Sequence, residues 1–107
     1  MKIYKTQAEV DSDIVDGVLT IECDVSFEFP LNVEAKIVVN GDINAGNINA
    51  GDINAWDINA RNISFYAVAF AYSSFKCKSI IGRRKNSKYF CLDKEVEIRE
   101  INKLNPS

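Results

Sequence analysis

Between Asp57 and Asp93 the chain carries seven cations and no acid: Arg61, Lys76, Lys78, Arg83, Arg84, Lys85 and Lys88. Guanidinium and ammonium groups at this density can grip RNA or DNA phosphates, or an acidic protein surface. The densest part is Arg83-Arg84-Lys85 with Lys88, and the rings of Tyr89 and Phe90 stand beside it. The alternative is a solvated loop, the common state of a charge run. Opposite in sign are Asp42, Asp52 and Asp57, each directly before an isoleucine, and upstream of them Glu22, Asp24 and Glu28. An acidic surface of this kind can imitate phosphates. Asn47 and Asn62 fill the equivalent positions, which favours side chains that cap corners, because Asp and Asn are interchangeable as turn formers but not as charges. Residues 1–60 hold eleven acids and three bases, residues 61–107 four acids and ten bases, so the net charge of −2 conceals two halves of opposite sign.

Aromatic residues supply a third group of candidates. Trp56 stands where neighbouring repeats have glycine, which directs it outward as a candidate binding hot spot. Phe65, Phe70 and Phe75 replace alanine at one repeated position and read as a widening of the core, whereas Tyr66 and Tyr72 fall outside that column and are candidate recognition aromatics.

Catalytic and metal chemistry find little to work with. The chain has no histidine, which removes the commonest general base and metal ligand. Cys23, Cys77 and Cys91 form no C-x-x-C pair and are expected as buried free thiols in a reducing cytoplasm. No catalytic constellation, cofactor site or metal site is expected. Met1–Gln7 has two early lysines without an apolar run behind them, so neither a secretion signal nor a membrane anchor is expected, and the protein reads as soluble and cytoplasmic.

The element that must position these groups is a five-residue repeat. From Gly41 the chain runs Gly-Asp-Ile-Asn-Ala, Gly-Asn-Ile-Asn-Ala, Gly-Asp-Ile-Asn-Ala, Trp-Asp-Ile-Asn-Ala, Arg-Asn-Ile-Ser-Phe. The third position is Ile43, Ile48, Ile53, Ile58, Ile63 and then Val68, and diverged copies extend the frame over residues 31–80. A period of five fits neither a helix nor one flat strand. Isoleucine and alanine two apart share one face of an extended segment, and the fifth step flips the phase, so the chain must turn a corner once per pentad. Glycine suits such corners through its tolerance of positive φ. Short strands joined by corners build a coil that stacks by parallel pairing. The number of sides per coil stays open.

One domain of 107 residues and 12.0 kDa follows: all-β, a right-handed parallel β-helix with small capping elements at both ends. Residues 1–18 form the N-terminal cap, 19–80 the coils, and 81–107 C-terminal strands and tail. Alternation from Leu19 to Val33 reads as the first coils. Thr6-Gln7-Ala8-Glu9 has the capping-box pattern of a short helix, and Asp16-Gly17 signals a turn. Lys88–Leu92 and Glu95–Ile101 read as two strands covering the far end.

These pentads resemble two groups of β-helical proteins. Pentapeptide-repeat proteins share the period and the Asp or Asn before an apolar centre, and some of them imitate DNA and inhibit DNA-handling enzymes. In this chain the centre is isoleucine, and the small residue follows it by two. The Gly-Asp-Ile wording also resembles bactofilin-type, polymer-forming β-helices. The chain also resembles short bacterial and phage proteins that carry variable runs of Asp-Ile-Asn-Ala. These end in a segment like Ser64-Phe65-Tyr66-Ala67-Val68 through Gly82-Arg83-Arg84-Lys85-Asn86-Ser87-Lys88-Tyr89-Phe90-Cys91-Leu92-Asp93, a likeness spanning about 31–98.

That resemblance implies a mobile-element setting. With the split charge and small size it implies a non-enzymatic inhibitor of a bacterial defence complex, an anti-CRISPR-like protein blocking a nuclease guided by RNA. The expected partner is a protein or ribonucleoprotein, such as a CRISPR effector, with nucleic acid as a partner of the basic half and no membrane. Two alternatives stay open: a scaffold whose coils stack end to end or pair into a homodimer, and a direct RNA- or DNA-binding module.

Overall fold

Each pentad supplies one short extended segment whose isoleucine and alanine point the same way. The computed structural model of the chain describes residues 1–98 and winds these segments into a parallel β-solenoid of about five turns. The elements in chain order are β1 (Lys2–Tyr4), α1 (Gln7–Asp13), β2 (Val18–Ile21), β3 (Val25–Phe27), β4 (Leu31–Asn32), β5 (Lys36–Val39) and β6 (Asp42–Ala45). There follow β7 (Asn47–Asn49), β8 (Ile53–Asn59), β9 (Asn62–Phe65), β10 (Val68–Cys77), β11 (Ser79–Gly82), β12 (Lys88–Cys91) and β13 (Glu97–Ile98).

Three sides make a turn. Side A stacks β2, β5, the start of β8, the start of β10 and β12. Side B stacks β1, β3, β6, the end of β8, the end of β10 and β13. Side C stacks β4, β7, β9 and β11. Where the repeat is most regular, one turn is three pentads: Ile43 pairs with Ile58 and Ile48 with Ile63. The interior is three columns of apolar side chains. Leu19, Ile37 and Ile53 stack behind side A, Val25, Ile43, Ile58 and Phe75 behind side B, and Leu31, Ile48 and Ile63 behind side C, all buried.

The pentad frame slips after Phe65. Val68, expected inward, is 38% exposed, and Ala69 and Ala71 are buried instead. Ile53 pairs with Ala69, sixteen residues on, and a second shift between Ala71 and Ser74 brings Phe75 into line with Ile58. Phe65 and Phe75 therefore fill the core as expected. Phe70 does not: the slip turns it to the outer surface of side A, in register with Phe90.

Corner glycines work differently from the expectation. Only Gly17 has a positive φ, 77°, and it follows Asp16 at 52°. These two residues form the turn between Val15 and Val18, whose backbones exchange hydrogen bonds of 2.9 and 3.0 Å. Gly41 is required by proximity, since a Cβ there would lie 2.5 Å from Asp24 Oδ1 and 2.7 Å from the Asp24 nitrogen. Gly46 has open space around it.

Both ends extend the winding further than the caps assigned from sequence. Residues 2–4, assigned to a cap, form a strand that pairs in parallel with β3. Helix α1 carries the full capping box between Thr6 and Glu9, and its Val10 is buried against the first turn. The Tyr4 hydroxyl donates to Asp13 at 2.7 Å. Gln7 closes the edge of side C: its Nε2 donates to the Asn32 carbonyl (2.8 Å) and its Oε1 accepts from the Asn32 N–H (3.1 Å). One side-chain amide thus stands in for the peptide of a missing strand. At the other end β12 and β13 both pair in parallel with β10, adding a further partial turn. Of the strand expected over 95–101, Glu95 and Val96 lie before β13 and are not part of it, and residues 99–101, like the tail, lie outside the described residues.

Of the three thiols expected to be buried, only Cys77 is; Cys91 is half-buried and Cys23 is exposed. Cys23 sits at the corner between β2 and β3, where the inward–outward alternation stops. No helix among the described residues is long and apolar enough to cross a membrane.

Replacing Gly41 by alanine should therefore cost on the order of 1–3 kcal/mol in denaturant unfolding, the price of overpacking. Gly46→Ala should be neutral or stabilising by about 0.4–1 kcal/mol through the unfolded state. Equal costs at both positions would show that backbone conformation, and not the neighbour Asp24, dictates glycine at these corners.

Candidate functional site

Three pentads per turn sort the outward residues by side. Asp42 and Asp57 stack in register on side B. Asp24 lies in the turn before them, with its Oδ1 accepting the Asp42 N–H at 2.9 Å. Asn47 and Asn62 stack on side C, where Asn62 Nδ2 donates to Asn47 Oδ1 (2.9 Å) and Ser79 Oγ donates to Asn62 Oδ1 (2.7 Å). Asp52 belongs to side A and accepts the Val68 N–H at 3.2 Å. The apparently interrupted acidic stripe of the sequence is thus a carboxylate ladder on one side and an amide ladder on another. Glu22 and Glu28 are exposed outside the strands and do not join the ladder.

Stacked strands put like charges about 4.8 Å apart. Asp42, in the middle, has its pKa raised, first by partial burial and then by the charges of Asp57 and Asp24. Asp57 Oδ1 is buried without a hydrogen-bond partner. Among the described residues no three His, Cys, Asp or Glu side chains converge to hold a metal ion.

The basic half divides between two corners. At the corner of sides B and C, the Arg61 N–H donates to the Gly46 carbonyl (2.7 Å) and the Lys78 N–H to the Arg61 carbonyl (2.8 Å), so the two cations rise one above the other. With Lys76, Ala45 and Asn59 they line a groove of about 420 Å3. At the corner of sides C and A, Tyr66 stands over Gly51 and Arg84 over Tyr66, through hydrogen bonds of 2.9 and 3.0 Å. Lys85 is exposed in the loop beyond, and Lys88 leads onto side A opposite Val68.

Arg83 is not a free loop cation. Its Nη1 donates to Asn49 Oδ1 (2.6 Å) and Ser64 Oγ (2.7 Å), and its Nη2 to the Ala50 carbonyl (2.7 Å). It clamps two earlier turns from outside. Among the described residues the one ion pair is Lys2–Asp13, at 3.5 Å, so none of these basic groups is neutralised by a carboxylate.

Rings occupy the remaining corner, between sides A and B. The Trp56 N–H donates to the Gly41 carbonyl (2.9 Å), and its indole Nε1 donates to Asn40 Oδ1 (2.9 Å). From there the aromatic groups run toward the C-terminal end. Trp56 meets Tyr72 at 5.6 Å between centroids, Tyr72 meets Phe70 edge to face at 4.7 Å, and Phe70 meets Phe90 at 4.7 Å. Trp56, Tyr72 and Phe90 are each between 41% and 49% exposed. Two sequence candidates, Trp56 and Tyr72, are thereby brought together, whereas Tyr66 is exposed at another corner. Phe70, expected in the core, and Phe90, expected beside the basic cluster, join the ladder instead; the frame slip that turns Phe70 outward leaves no mark in the pentad pattern.

No protein-family model, curated protein or solved structure matches this chain.

The acid ladder sets a pH dependence. Raising the folded-state pKa of Asp42 means that the folded chain holds its proton longer than the unfolded one, so stability falls as pH rises through the carboxylate range. Asp42→Asn should melt above the parent at neutral pH, with the difference shrinking in high salt and closing under acid. A lower melting temperature at neutral pH would refute the repulsive ladder.

Proposed function

We propose that this chain is a non-enzymatic binding protein of the phage or mobile-element type that works in the bacterial cytoplasm. Its target is a nucleic-acid-directed defence complex, such as a CRISPR effector, which it inhibits by covering a surface the complex needs. The observation that carries this reading is the ladder Trp56–Tyr72–Phe70–Phe90, a run of part-exposed rings held on rigid strands. Tryptophan and tyrosine anchors of this kind dominate the energy of protein interfaces, and a preformed ladder loses little conformational freedom on docking. Side B shares a corner with it, and its stacked Asp24, Asp42 and Asp57 offer a row of negative charge to a basic, nucleic-acid-holding channel.

Scaffolding by end-to-end stacking fits less well. Gln7 satisfies the exposed backbone of β4 and α1 covers the first turn, so the N-terminal end offers no open strand on side C.

Purified effector complexes from the native host, incubated with the protein and assayed for target cleavage, test the reading. The parent protein should suppress cleavage, and Trp56→Ala/Tyr72→Ala should weaken inhibition at least tenfold while folding normally, since each hot-spot truncation costs about 2 kcal/mol or more. Full cleavage by every complex in the presence of the parent protein would rule the reading out.

A further inference from the structure

We propose that side C is a track for the backbone of a single-stranded nucleic acid, placed opposite the aromatic corner. This rests on the reading of the chain as a binding protein and names a nucleic-acid component of its target, but it does not depend on the ladder.

The floor of the track is uncharged, hydrogen-bonding over most of its length and apolar where the exposed Ile81 ends one column. Its outward columns are Asn47–Asn62–Ser79 and Asn49–Ser64–Ile81, with no carboxylate on β7, β9 or β11. Both rims are cationic. Arg61 and Lys78 are stacked through their backbones at the corner that side C shares with side B, where they line a groove with Asn59 and Lys76. At the other corner Arg84 follows Tyr66, and the Arg83 guanidinium is fixed over Asn49 and Ser64. None of Arg61, Lys78, Arg83 and Arg84 has a carboxylate within ion-pair distance among the described residues. Arg83 is held instead by neutral acceptors, so its charge remains uncompensated where the floor meets the rim.

This composition selects the partner. Interfaces with nucleic acid are more polar and far more positive than those between proteins, and amide, hydroxyl, Arg and Lys side chains together hold phosphates and sugars. A protein partner would look for aromatic anchors, and those lie at the far corner. Tyr66, 52% exposed on the basic rim, supplies a ring on which a base can stack. The track also has a direction. Glu28 and Glu34 border the first turn, and Glu34 shares the groove of Tyr66 and Arg83, so the acids repel a polyanion toward the C-terminal turns.

Fluorescence anisotropy with short labelled oligothymidylate and oligouridylate tests the proposal. Binding of either is expected, and which one binds distinguishes DNA from RNA. With four phosphates neutralised, the logarithm of affinity should fall against the logarithm of salt concentration with a slope of about −3. Arg61→Glu/Lys78→Glu should weaken binding at least tenfold, Arg61→Gln/Lys78→Gln less, and Tyr66→Ala by roughly five-fold or more. The variant Trp56→Ala/Tyr72→Ala should bind like the parent. Thermal melts establish that each variant is folded. Failure of both oligonucleotides to bind at low salt, or binding that survives the Arg61→Glu/Lys78→Glu change, overturns the proposal. If that charge-reversed variant still inhibits an effector while Trp56→Ala/Tyr72→Ala does not, the protein-docking reading stands and the track falls.

Discussion

A strand of three or four residues has too few hydrogen bonds and too little apolar surface to persist alone. Here each short side is held by the turn below and the turn above, through parallel ladders and through isoleucine packed on isoleucine. Burying one such side chain contributes about 1.5–3 kcal/mol, which offsets only part of the roughly 5–10 kcal/mol lost in ordering the backbone of five residues. The second buried side chain and the ladder hydrogen bonds of each pentad are therefore needed as well. The contact works only if the same inward position returns after one turn. Three pentads satisfy that condition, and Ile43 over Ile58 and Ile48 over Ile63 are its direct expression. Parallel sheets are ordinarily covered on both faces. This one covers its inner faces with each other and leaves the outer faces to water, so the outward residues are released from packing and available for binding.

That release explains how a small chain presents three unlike surfaces. Gly41, Gly46 and Gly51 mark the corners of one turn, and Trp56, Arg61 and Tyr66 mark the corners of the next, each donating its N–H to the glycine carbonyl beneath it. The backbone contact is the same at all three, yet one corner becomes aromatic, one cationic, and one a mixture of ring and guanidinium. The carboxylates follow the same logic. Asp42 over Asp57 is a repulsive pairing that a fold selected for stability alone has no reason to repeat, and the amides of Asn47 and Asn62 show the stabilising alternative one side away.

The winding itself was legible because a five-residue apolar period has few other solutions. The capping box at Thr6–Glu9, the Asp16-Gly17 turn and the outward placing of Trp56, Tyr66 and Tyr72 could also be read locally, since each depends on neighbours close in sequence. What could not be read depends on the number of sides. With that number open, Asp42, Asp52 and Asp57 look like one broken stripe, although Asp52 belongs to another side. The slip at Tyr66–Ala67 was hidden because Val68, Phe70 and Phe75 continue the apolar pattern in the old frame, and only the bulk of the core and the pairing of Ala69 with Ile53 decide otherwise. The role of Arg83 was hidden too. Its acceptors Asn49 and Ala50 lie more than thirty residues away, and nothing in a run of basic residues distinguishes a clamp from a free charge.

The three-sided turn also governs how such a gene can change length. Slippage that duplicates or deletes one pentad rotates everything downstream by a third of a revolution, setting Asn over Asp and glycine corners beneath the wrong neighbours. Only blocks of three pentads restore each surface to its own side. The repeat can therefore lengthen or shorten by whole turns without scrambling its decoration, and its heredity counts in fifteens even though its wording repeats in fives.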